Sequence, residues 1–230
     1  MSELLPNLVP LKGEFQFNTR NYPSLVDVRY IANDPETNGP TIRFGIAIGN
    51  MGRGPLHIVL GDVKKENGKT IAPAKQRIFS EHCQFRDVDV GFFELHEEVG
   101  HGEAHWHYHG LASLDLLDEG SQIVASSKKE DYCVVDVFKH QDLPYGCESK
   151  RFPVEACTEK TEIGISVGWA DYYHKFQDQQ SIELDEIKTG IYWLRFKINK
   201  TKLVHEESKP VSMKIRIDKE NRRVTKLEDI

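Results

Sequence analysis

Apolar and polar positions alternate along most of this chain with the two-residue period of β-strands, and convincing helical periodicity is nearly absent. Thr41-Ile42-Arg43-Phe44-Gly45-Ile46-Ala47-Ile48 alternates and runs into a turn at Gly49-Asn50-Met51-Gly52-Arg53-Gly54-Pro55. Leu56-His57-Ile58-Val59-Leu60 reads as the next strand. Lys64-Lys65-Glu66-Asn67-Gly68-Lys69 is a polar hairpin connection leading to a strand near Ala74 to Phe79. Further strands are expected over Val90 to Leu95, Ala104 to His109, Leu111 to Leu117, Tyr132 to Val137, Ser181 to Leu184, Gly190 to Asn199 and Val211 to Asp218.

From about Gln141 to Thr161 the pattern dissolves into Pro, Gly, Cys and charge, which reads as a long ordered loop. Loops of that length in compact domains are usually functional or cross-linked. Many short strands separated by Gly and Pro turns predict an all-β fold, a β-sandwich with long functional loops and little helix. The 230 residues suit a single domain spanning 1–230, large enough to bury a substantial core.

Charge and composition narrow the partners. The formal net charge of −6 argues against nucleic acid and against anionic membrane surfaces. No apolar run approaches the ~18 residues that span a bilayer. Met1-Ser2-Glu3-Leu4-Leu5-Pro6 lacks a basic stretch followed by an apolar one, so no secretory leader is read there. Cys83, Cys133, Cys147 and Cys157 show no Cys-x-x-Cys pairing, and one or two disulfides or free buried thiols are both open.

The chemistry concentrates in His105-Trp106-His107-Tyr108-His109. On a strand, alternate side chains share a face, so the three imidazoles are expected to project together, with Trp106 and Tyr108 filling the opposite face as core. Such a trio suits copper, zinc, nickel or iron and not calcium or magnesium. The bland alternative is a histidine-rich surface loop. Other blocks follow in order: Lys128-Lys129-Glu130-Asp131-Tyr132-Cys133, then Gly164-Ile165-Ser166-Val167-Gly168-Trp169-Ala170-Asp171-Tyr172-Tyr173, then Gln180-Ser181-Ile182-Glu183-Leu184-Asp185.

This ordered series resembles the catalytic domain of the lysyl oxidase family, and looks closer to its prokaryotic members. The resemblance runs from about residue 40 to 200, beginning with Arg43-Phe44 through Asn50 and Gly54-Pro55-Leu56. It implies a copper site at His105, His107 and His109. It also implies a lysine tyrosylquinone built from the chain itself, with Lys129 on the cross-linking lysine and Tyr173 on the quinone-forming tyrosine. The implied activity is copper-dependent oxidative deamination of primary amines, peptidyl lysine or small amines, to an aldehyde with release of hydrogen peroxide and ammonia. Molecular oxygen would be the second substrate. An aspartate is expected as the base, with Asp171 and Asp136 both candidates. The family generally works outside the cell, while no leader is visible here.

Without the resemblance, Lys129 reads as part of a solvated charged turn, and Tyr173, among Trp169, Tyr172 and Phe176, as ordinary core. His96 and His101 are either partners that orient a ligand or surface histidines. A different register would use Glu103, His105 and His107. If disulfides form, Cys133 is expected to pair with Cys147 or Cys157. Two rival functions remain: a copper- or zinc-binding β-sandwich protein without the quinone, and a cupin-like dioxygenase or isomerase that recruits Glu119 and His140 or His174.

Overall fold

The computed structural model describes residues 2–11, 14–17, 20–23, 28–96, 104–145, 147, 152–159, 162–199, 204–207 and 209–229. His101 and Glu103 lie outside the described residues. Among the described residues the fold is all-β and antiparallel, and the sole α-helix is the single turn Ala156–Glu159. No helix there is long and apolar enough to cross a membrane.

The largest sheet is built on a long hairpin, Lys69–Ser80 with Phe85–His96, to which His105–Tyr108 adds an edge and Leu56–Leu60 and Ile163–Ile165 the other side. A second sheet runs Ile123–Ser126, Ala112–Leu117, Gly190–Ile198, Val211–Asp218, Arg223–Asp229. A third pairs Trp169–Tyr173 with Ile46–Asn50 and carries Phe138–Lys139 on its other side. The segment expected as one strand over 41–48 is divided at Gly45. Thr41–Phe44 pairs with Ser181–Glu183 and Val28–Ile31, while Ile46–Asn50 belongs to the third sheet. Ile42, Phe44, Ile46 and Ile48 are all fully buried and join Tyr108, Leu114, Phe196 and Ile215 in one continuous core.

Two further expectations from patterning need correction. Tyr132 to Val137 is not a strand: apart from one bridge between Tyr132 and Tyr108 it makes no ladder. Its buried apolar run is instead held piecemeal, Asp136 N–H donating to Phe152 O and Val137 N–H to Ala170 O. A run buried on all sides satisfies the apolar signal of a strand without strand pairing. The strand expected over 104–109 ends at Tyr108, because Gly110, at φ +70°, turns the chain.

The 141–161 region is loop apart from the helical turn, among its described residues. Disulfides link Cys133 to Cys157 and Cys83 to Cys147, so the first stitches that loop to the segment before it. The pairing of Cys133 is thus with Cys157, and none of the four cysteines is free. Gly168, at φ +78°, lets Gln141 O approach to where a Cβ would stand 2.1 Å away, and this turn launches the Trp169–Tyr173 strand.

Candidate functional site

Register places the histidines. His105–Tyr108 pairs with Phe85–His96 so that Glu94 faces His107, Leu95 faces Trp106 and His96 faces His105. Trp106 and Tyr108 turn inward and are buried, and the Tyr108 hydroxyl donates to Val90 O at 2.6 Å. His105 and His107 share the opposite face, their ring centroids 4.5 Å apart. His107 is buried, and its pKa is pushed down to about 2 by loss of solvent, reinforced by the charges of Lys129, His105 and His96. It is therefore a neutral imidazole, the form that binds metals.

His109 does not project from that strand face. It sits beyond the strand end, its side chain 66% exposed, with Nδ1 2.5 Å from Asp131 Oδ1. Asp131 also accepts the Gly110 N–H at 3.3 Å and reaches toward His96 Nε2 at 3.9 Å. The expectation of three imidazoles on one strand face thus holds for two of them. The third reaches the same corner through a carboxylate.

The segment 129–133, none of it in a strand, and the Trp169–Tyr173 strand carry the rest of the site. Lys129 Nζ stands 5.9 Å from the Tyr173 ring centre and 5.3 Å from that of Tyr132, and the two rings meet edge to face at 4.8 Å. Asp131 serves the histidines. Cys133 O accepts the Tyr173 hydroxyl. Tyr173 and Asp171 are two apart on one strand, so they share a face, and the Asp171 carboxylate also contacts the Tyr173 hydroxyl. Burial raises the Tyr173 phenol well above its ordinary value, with the Asp171 charge adding to it.

The two candidate aspartates differ sharply. Asp136 accepts the N–H groups of Phe152 and Ser166 and the Ser166 hydroxyl, at 2.7–2.9 Å. Asp171 accepts the Tyr172 and Val135 N–H groups, and its pKa is raised to about 7, by burial first and by the Asp136 charge. Asp136 is an anchor for the loop and Asp171 is poised to exchange a proton near neutrality.

A cavity of about 270 Å³ is lined by His105, His107, Lys129, Tyr173 and residues 176–179. Patterning gave no sign of what holds the 176–179 wall. Arg43, paired with the fully buried Asp34, donates from Nη1 to Gln177 O at 3.1 Å and from Nη2 to Glu36 at 2.7 Å. Glu36 in turn accepts the Gln179 N–H at 2.8 Å. The Arg43 side chain holds the Asp34 carboxyl down to about 2. Glu119, which the dioxygenase alternative requires, is exposed on the turn between Ala112–Leu117 and Ile123–Ser126.

The lysyl oxidase family model matches residues 80–226, most of the chain and all of this site except the Arg43 group. The chain belongs to the lysyl oxidase family. It is 36% identical over 106 residues to protein-lysine 6-oxidase of Sus scrofa, covering 44% of this chain and 39% of that protein. It is 34% identical over 107 residues to lysyl oxidase homolog 3 of Homo sapiens, covering 45% of this chain and 13% of that protein. The matched stretch thus spans well under half of either relative's length.

Proposed function

We propose that this lysyl oxidase family chain is a copper-dependent amine oxidase. It would convert primary amines, carried on peptidyl lysine or on small molecules, to aldehydes with release of hydrogen peroxide and ammonia. The observation that carries this reading is the shared cavity: two adjoining imidazoles, a lysine amine and a buried phenol line one space of about 270 Å³. The donor set fits copper, because His107 is neutral and its ring lies 4.5 Å from that of His105, with Asp131 holding His109 close by.

His105, His107 and His109 would hold the metal, and Lys129 with Tyr173 would form the lysine tyrosylquinone. When bound, the copper and quinone supply oxygen chemistry and an electron sink. The protein's own residues do the rest. Tyr132 and Tyr173 flank the Lys129 amine, which keeps it beside the ring it would join. Asp171 would take the substrate proton on a carboxylate oxygen, since its raised pKa balances base strength against availability near neutral pH. The 176–179 wall narrows access for water and positions the incoming amine.

Peroxide release measured over a panel of amines, with and without Tyr173→Phe, tests the proposal. Wild-type protein loaded with copper in air should release peroxide, absorb visible light and react with phenylhydrazine. Tyr173→Phe should retain copper and lose all three. Activity that survives the substitution removes the quinone reading and leaves a metal-binding protein.

A further inference from the structure

We infer that His96 is a ligand of the same metal as His105 and His107, an imidazole that the three-histidine motif does not contain. The inference rests on the metal-binding part of the reading above and not on amine oxidation.

Register supplies the first argument. His96 is directly opposite His105, and Leu95 and Trp106, one step along, form the neighbouring pair. Trp106 is locked into the core, so the alternation of the strands puts His96, His105 and His107 together on the other face. Directly opposed residues in an antiparallel pair bring their Cβ atoms to within about 5 Å.

Ring separation supplies the second. The His96 and His107 ring centres are 4.5 Å apart, the same distance that separates His105 from His107. Two imidazoles at neighbouring positions of one metal have each nitrogen about 2.0 Å from the ion and each ring centre ~1.1 Å further out. At right angles their centres then stand ~4.4 Å apart. His107 is the common member of two pairs, each already at that spacing.

The surroundings supply the third. Asp131 stands between His109 and His96, with one oxygen on His109 Nδ1 and the other 3.9 Å from His96 Nε2. A carboxylate in that position orients metal-binding imidazoles. Copper(II) favours four donors near one plane, and a fourth imidazole completes that set. Among the described residues no three donor atoms already converge, so binding needs the rings to turn while the paired backbone stays in place.

Pulsed electron paramagnetic resonance on the copper(II)-loaded full chain counts the imidazoles on the metal, and competition titration gives the copper affinity. In His96→Gln the count should fall by one relative to wild type, and affinity should fall at least about tenfold. His96→Asn should repeat the result, and His82→Gln, an exposed turn residue, should change neither quantity. An unchanged imidazole count overturns the inference even if affinity drops, because a residue that only orients a ligand weakens binding without leaving the metal. Failure of wild type to bind copper overturns it as well. A full imidazole count in a protein that oxidises no amine would sink the oxidase reading alone.

Discussion

His107 and Asp171 are both buried beside the candidate site, yet burial drives them in opposite directions because one is charged when protonated and the other when not. In the histidine corner, His107 falls to about 2 from an ordinary 6.5. In the chamber, the 129–133 segment packed against the Trp169–Tyr173 strand, Asp171 rises to about 7 from 3.8. The unfolded chain therefore binds more protons than the folded one at His107 between about pH 2 and 6.5. At Asp171 the folded state binds more, between about pH 4 and 7. The corner is weakened by acid, and the chamber is weakened as pH rises through its window. Near neutral pH the His107 imidazole is thus uncharged while the Asp171 carboxyl is close to the middle of its titration.

The strongest way to break that comparison is to exchange the roles of the two aspartates. Asp171→Asn should lower amine-dependent peroxide formation by about 10²- to 10⁴-fold, the usual worth of a general base. The copper-free variant should nevertheless become more stable at pH 8, by up to about 4 kcal/mol, since the ionised buried group is gone. Asp136→Asn should do the reverse. It disturbs three hydrogen bonds to a buried carboxylate and should cost about 3 kcal/mol in denaturant unfolding, with copper affinity per folded molecule unchanged. If both variants lose stability equally and activity equally, the distinction between anchor and base is wrong.

Proton linkage sharpens the same contrast. Between about pH 4 and 6.5 the His107 and Asp171 contributions oppose each other at roughly 1.4 kcal/mol per pH unit each, so together they leave little net slope in copper-free protein. His107→Gln should uncover the Asp171 limb, with stability falling as pH rises from 4 to 7. Asp171→Asn should uncover the His107 limb, with stability falling as pH drops below 6.5. Melting curves across this range read both, and two variants with parallel profiles would contradict the assignment.

The two regions also differ in how far they could be read from residue order. The histidine corner is a product of strand alternation, so the inward Trp106 and Tyr108 and the outward His105 and His107 follow from periodicity alone. His109 departs from it only because Gly110 ends the strand. The chamber has no such period. Lys129, Asp131, Tyr132 and Cys133 crowd into one short irregular segment, and each has a partner distant in sequence. A charged run such as Lys128-Lys129-Glu130-Asp131 carries no signal that Asp131 will reach His109, and family resemblance alone singles out Lys129. The Asp34–Arg43–Glu36 group is equally silent, since Arg43 looks like the outward residue of an alternating strand. It is instead buried and crosses to the backbone of residues 175 and 177.

That group makes a smaller prediction. Glu36→Ala removes the acceptor of the Gln179 N–H, and Gln179 is held at φ +60°, a conformation its neighbours must sustain. The wall of the cavity should loosen, raising KM for amines several-fold with kcat within about twofold, as expected when positioning of substrate rather than chemistry is lost. An unchanged KM would mean that the wall does not touch the substrate.

The smallest effect is expected at Lys128, the neighbour of Lys129 in the chain. Lys128 is exposed, and its ammonium pairs with Glu183 at 2.5 Å. Exposed pairs of this kind contribute little, because water screens the charges and two long side chains must be ordered. Lys129, one residue on, points the other way, toward Tyr132 and Tyr173. Lys128→Ala should therefore leave the melting temperature, copper content and visible absorbance unchanged, whereas Lys129→Ala should abolish the absorbance while retaining copper. Copper content is read alongside absorbance because the Lys129 charge also acts on His107, whereas Lys128 faces Glu183. Absorbance lost in Lys128→Ala and kept in Lys129→Ala would mean that the segment is shifted by one residue, and the contacts of Tyr132 and Cys133 would have to move with it.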